Sequence, residues 1–187
     1  MSILKEAKNL VKSSRLIRNL ILDNVIINTI SYYNIWLWQK RLQSIGVDIE
    51  WFGLISILYL ATQIVVLNNY GKLENLLKSK TPLIRLGAIL TGIGFIMTAV
   101  TDSLIVILIG TVIIAGFGQT RRPLMTSYLN EVIPSSSRAT MISIMPMVRC
   151  ISLAGVSPLV GKFADNHLKY VLLTLGLSAL VWSSRNN

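Results

Sequence analysis

The chain has 187 residues, 52% of them hydrophobic and only 14% charged, with a mean hydropathy of +0.61; a soluble domain carries about 25% charged residues. The apolar residues fall in long runs separated by short charged clusters, which excludes an ordinary soluble domain and fits a membrane protein. One cysteine, Cys150, excludes an internal disulfide, one histidine, His167, excludes a Cys/His metal cluster, and the net charge of +10 raises nucleic-acid binding as a question for charge placement to answer.

In chain order, residues 1–15 read as a basic cytoplasmic segment with Lys5, Lys8, Lys12 and Arg15, without the cleavage pattern of a signal peptide. Six apolar segments follow, at 16–38, 51–69, 82–100, 103–128, 140–163 and 168–183. A spanning helix needs about 20 residues, so five fit comfortably and the last is short. The runs are too long and too continuously apolar for the alternating strands of a membrane barrel. The expected fold is therefore an all-α membrane protein, with residues 16–187 forming a bundle of six transmembrane helices. Gly87, Gly92 and Gly94 in the third segment, and Gly110, Gly116 and Gly118 in the fourth, predict close helix–helix approach.

With the N-terminus placed in the cytoplasm and the helices alternating, thirteen basic residues fall inside, among them Lys72, Lys78, Lys80, Arg85, Arg121, Arg122 and Arg138. Four fall outside (Lys40, Arg41, Lys162 and Lys169), and Arg149 stays within a helix. This asymmetry satisfies the positive-inside rule. It predicts both termini in the cytoplasm of a multi-pass plasma-membrane protein, and it explains the basic charge as topology, so no nucleic-acid partner is expected. Gly71-Lys72 and Gly161-Lys162 recur at matching places in two three-helix units, an echo that an inverted-topology repeat would leave.

The stretch RRPLMTSYLNEVIPSSSRAT, Arg121 to Thr140, followed by MISIMPM, resembles the cytoplasmic turn between the tenth and eleventh helices of many major facilitator superfamily transporters. SPLVGKFAD, Ser157 to Asp165, resembles the end of the eleventh helix. NNYGKLENLLKSK, Asn68 to Lys80, resembles the degenerate basic loop between helices eight and nine, with Glu74 one place early and no Asp-Arg pair following. The resemblance covers essentially the whole chain as a C-terminal six-helix half of that fold, built as two inverted three-helix repeats. It implies a partner: a matching N-terminal half, or a second copy of this chain, to enclose a substrate path.

Several polar residues stand out against this background. Asn24, Asn28 and Ser31 lie within about 60° of one another on a helix, with Tyr32 beside them. Such a face either bonds neighbouring helices or lines the central cavity, where the resemblance puts the seventh helix; the second reading is preferred. Asp23 is the acidic residue deepest in an apolar run, a candidate proton site or cation contact, or else one half of a structural ion pair. Arg149 is its nearest partner by depth. On the fourth segment Gln119 and Arg122 adjoin a stripe of small residues; Arg122 either receives an anionic substrate or, with Arg121, snorkels to lipid headgroups. Arg138 is expected to meet Glu131 or lipid phosphate.

No HExxH, GxSxG, Walker-type or paired-cysteine motif occurs, so neither an enzyme nor a bound cofactor or metal is expected. The leading expectation is membrane transport of a small molecule by alternating access, ion-coupled, with efflux weakly favoured. The alternative is a non-transporting membrane protein, either a truncated remnant or an accessory subunit that binds another membrane protein.

Overall fold

The computed structural model describes residues 12–185. Residues 1–11, which hold most of the expected basic segment 1–15, lie outside the described residues. Helix α1 spans Arg15–Ser44, α2 Phe52–Asn68, α3 Tyr70–Leu77, α4 Lys80–Val100 and α5 Leu104–Ile113. A π-helical segment, Ile114–Gln119, then leads into α6, Arg121–Val132, and the chain finishes in α7, Ser135–Arg185. Among the described residues there is no strand, and they are almost entirely helical.

Local chemistry sets several of these boundaries. The Ser14 hydroxyl accepts from the Ile17 amide at 3.3 Å and starts α1 as an N-cap. At the other end Gly46 takes φ 84°, and its amide bonds the Gln43 carbonyl at 3.0 Å, the left-handed stop that glycine allows. The helix runs past the expected end at Trp38 because Arg41 turns inward and is used. Its guanidinium donates to the Thr98 carbonyl at 2.8 Å, the Thr101 carbonyl at 2.6 Å and Asp102 at 2.6 Å, satisfying carbonyls at the end of α4 that lack helical partners. The basic loop 68–80 holds α3, closed by Lys78 in the left-handed conformation.

The fourth apolar segment is helical throughout, but it widens into the π turn. That turn ends at Gln119, the residue whose carbonyl would bond the amide four places on; Pro123 has no N–H to give and its ring crowds that position.

α7 has 51 residues, which would extend about 76 Å at 1.5 Å per residue against a hydrocarbon core of about 30 Å. It breaks at His167, where φ −134° and ψ 43° leave the helical region. Its contacts show the reversal. Met145, Arg149, Ser157 and Asp165 meet Asn24, Tyr32, Tyr33 and Lys40 in turn along α1. Beyond the break, Lys169 pairs with Asp102, and Trp182 is back at the depth of Asp23.

α4 is the hub. A Cβ on Gly94 would lie 2.8 Å from the Gly110 carbonyl oxygen of α5, and one on Gly92 would lie 2.9 Å from the Gly176 carbonyl oxygen of α7. Both crossings are therefore backbone to backbone, closer than any side chain permits. Around them sit three apolar clusters: Leu83, Met125, Leu129 and Met141 near the chain start, Ile27, Phe95, Ile114 and Ala179 in the middle, and Trp38, Leu42, Phe52 and Ile107 at the far end.

Four helices among the described residues are long and apolar enough to cross a membrane: Ile49–Asn68, Lys80–Val100, Leu104–Val132 and Ser135–Arg185. The difference from six expected segments has two causes. α1 is long enough, yet Asp23, four asparagines and its charged ends lower its hydropathy, and the last two segments form one helix with a single break.

At the far end Asp102 accepts from Lys169 at 2.8 Å and from Arg41, joining α1, the α4–α5 turn and α7. Those two bonds, Lys169 first, hold its carboxyl below the usual value of 3.8. A depressed carboxyl contributes stability that is complete above its unfolded pKa and is lost as pH falls through the folded one. Asp102→Asn should therefore lower Tm at pH 7, with the difference from wild type shrinking to nothing as both are acidified below pH 3.8. A pH-independent difference would show that the bonds, not the charge, matter.

Candidate ligand cavity

The polar face of α1 is built at one-turn spacing, and the structure spends it unevenly. Asn28 donates its amide to the Asn24 side-chain oxygen one turn earlier, and Asn24 donates to the Met145 sulfur at 3.9 Å. The Ser31 hydroxyl turns back on its own helix, donating to the Ile27 carbonyl at 2.7 Å. Gln119, presented by the π turn, donates to the Ser31 carbonyl at 3.3 Å and to the Tyr59 hydroxyl, and accepts from Gln63 at 3.4 Å. It thus binds α1 and α2 to the fourth segment. Tyr32 offers its ring to Arg149, whose guanidinium carbon lies 5.7 Å from the ring centroid, within cation–π range.

These side chains line two adjoining cavities. One, of about 160 Å³, is walled by Asn24, Asn28, Arg122, Thr126, Met145 and Arg149, among others. The second, of about 220 Å³, is walled by Asn28, Ser31, Tyr32, Gln119, Arg122 and Arg149, with Ile35. Asn28, Arg122 and Arg149 belong to both. The structure thus brings together six of the polar residues singled out in the sequence, with Arg149 added from α7.

Asp23 stands apart from them. Its carboxylate pairs with Arg121 and accepts from the Trp182 indole N–H at 3.1 Å. It borders a different cavity, of about 140 Å³, with Asn19, Thr81, Arg85 and Ser183. Its partner is Arg121 and not Arg149. Neighbouring residues on a helix point about 100° apart, so Asp23 cannot share the face of Asn24, Asn28 and Ser31, and Arg149 faces Tyr32 on that other side.

Arg121 likewise departs from the headgroup role expected of it: its side chain is 1% exposed. Its position heads the sequence Arg121, Met125, Leu129, each four residues apart and each buried. That spacing is the signal that places Arg121 inside, while Arg122, a further 100° round the helix, faces the cavity. Arg138 donates to the Ile133 carbonyl at 3.2 Å, and Glu131 takes Lys80, so neither meets the other. Arg41, expected in an outer loop, is equally buried, and it carries the same marker, since Tyr33, Leu37 and Arg41 are each four residues apart and each buried.

The charge in the cavity is one-sided. Among the described residues no carboxylate lines either compartment, and neither Arg122 nor Arg149 forms an ion pair. Nor do three of His, Cys, Asp and Glu gather anywhere among those residues as a set of metal ligands. The arrangement can hold an anion and offer it amide and phenol contacts. No family model matches the sequence, and no curated protein matches it.

Proposed function

We propose that the chain is the C-terminal six-helix unit of a major facilitator-type transporter, moving a small molecule across the plasma membrane by alternating access. The observation that carries this reading is the polar cavity of α1, α6 and α7, set among helices long and apolar enough to cross a bilayer. The alternating direction of six segments, counting α1 and the two arms of α7, supports a reading of six spans; we arrange them as two three-helix repeats and, from the positive-inside bias, put both termini in the cytoplasm. A matching N-terminal half or a second copy closes the path on its open side. Asp23, the buried carboxylate of α1, is the candidate for coupling to a proton gradient, and efflux is the direction weakly preferred.

Alternating access can be tested without knowing the substrate. In a Cys150→Ser background, Ile35→Cys, whose position borders the larger compartment, should react with a membrane-impermeant thiol reagent from either face of sealed vesicles. Reaction from one face only, in the chain alone and with any partner that co-purifies, would sink the proposal.

That outcome would favour a second reading, an accessory subunit or a remnant without transport. α2 motivates it: Leu54, Ile57, Leu60 and Ile64 are all exposed, and Phe52, Tyr59 and Val66 are its buried positions.

A further inference from the structure

We propose that Arg122 and Arg149 form a clamp for one oxyanion group, a carboxylate or a phosphate, with Asn28 and Tyr32 completing its wall. Calling the anion a substrate rests on the transporter reading; its binding does not.

Three observations converge on the clamp. The two guanidinium groups come from different helices, α6 and α7, yet border the same two compartments. No carboxylate among the described residues pairs with either: Asp23, the nearest carboxylate along α1, is taken by Arg121 and Trp182 on another face. And Arg149 is held by the Tyr32 ring at 5.7 Å, which orients a flat guanidinium without competing for its N–H donors. Arg122 is exposed and Arg149 half-buried; two unpaired cations lining one space repel each other, and an anion between them relieves that repulsion. Guanidinium groups suit oxyanions because their paired N–H donors match two oxygens at once.

Size narrows the ligand. Compartments of about 160 and 220 Å³ together sit at the low end of small-molecule sites, which begin near 300 Å³. The fit is to a small organic acid or phosphate ester, or to the headgroup of an anionic lipid entering from the side. The oxyanion is common to both.

The test uses the full chain purified in an uncharged maltoside detergent, with thermal unfolding followed by circular dichroism. Inorganic phosphate and benzoate, compared with chloride at equal ionic strength, serve as soluble probes. Phosphatidylcholine nanodiscs with and without phosphatidylglycerol serve as the lipid arm. A soluble probe should raise Tm in a saturable way, and its apparent Kd should weaken at least tenfold in Arg122→Gln and in Arg149→Gln but not in Arg85→Gln. A rise produced only by phosphatidylglycerol, and lost in the same two variants, assigns the clamp to a headgroup.

If neither probe shifts Tm, or if the shift survives in the doubly substituted protein, the clamp is wrong. Should the variants fail to fold, phenylglyoxal modification of the wild type replaces them: phosphate should protect Arg122 and Arg149 and spare neither Arg85 nor Arg185. Equal protection everywhere, or none, also overturns the proposal. Anion binding with thiol labelling from one face removes the transporter reading and keeps the clamp; labelling from both faces without anion binding does the reverse.

Discussion

Asp23→Asn should destabilise the protein by about 3–5 kcal/mol, the usual consequence of removing one partner from a buried ion pair. Arg121 is 1% exposed and Asp23 10%, so water cannot replace the lost carboxylate. The Nε and Nη1 atoms of Arg121 have no partner among the described residues even with Asp23 present, and without it the whole guanidinium is unbalanced. Trp182 also loses a charged acceptor for its indole N–H, which loosens the returning arm of α7. The double substitution Asp23→Leu with Arg121→Met should recover most of the loss, since an apolar pair of similar size removes both the charge and its need for a partner. Unfolding in detergent micelles measures all three proteins. Equal stability of Asp23→Asn and wild type would mean that the pair does not form, and an unrecovered double variant would mean that packing rather than charge is responsible.

The second large effect is expected at the crossing of α4 and α5. A Cβ on Gly110 would lie 2.7 Å from the Gly94 carbonyl oxygen and 2.9 Å from the Thr98 methyl, and a Cβ on Gly94 would lie 2.8 Å from the Gly110 carbonyl oxygen. The obstacles include backbone atoms, which cannot swing aside as a side-chain tip does. Gly110→Leu must part the two helices and forfeit the contacts beneath them, a loss of about 3 kcal/mol. Gly161→Leu makes the control, because a Cβ there meets nothing within 4 Å. Similar Tm values for the two leucine variants would show that α4 and α5 do not meet at these glycines.

These two sites differ in how much of them could be read beforehand. The glycines announced a close approach, since small residues within apolar segments have that use, but not which helix each one meets. The ion pair was half legible. Asp23 was conspicuous as a carboxylate in an apolar run; its partner was not, because depth along the chain favours Arg149 over Arg121. The helical phase of Arg121 with Met125 and Leu129 carried the missing information, and it separates two adjacent arginines that charge counting treats alike.

By itself the sequence determined what depends on composition and on spacing within a single segment. Long apolar runs must be helical where water is scarce, because each backbone N–H and C=O then needs a partner in its own segment. Asn24, Asn28, Ser31 and Tyr32 share a face because residues three and four apart always do. The tertiary structure alone decided which faces meet. It turned Arg41 inward onto the end of α4, reversed α7 at His167, and set Arg149 over Tyr32 beside Arg122. Each of these depends on contacts between residues dozens of positions apart. Side-chain spacing within one helix fixes where a residue points but leaves open what stands opposite.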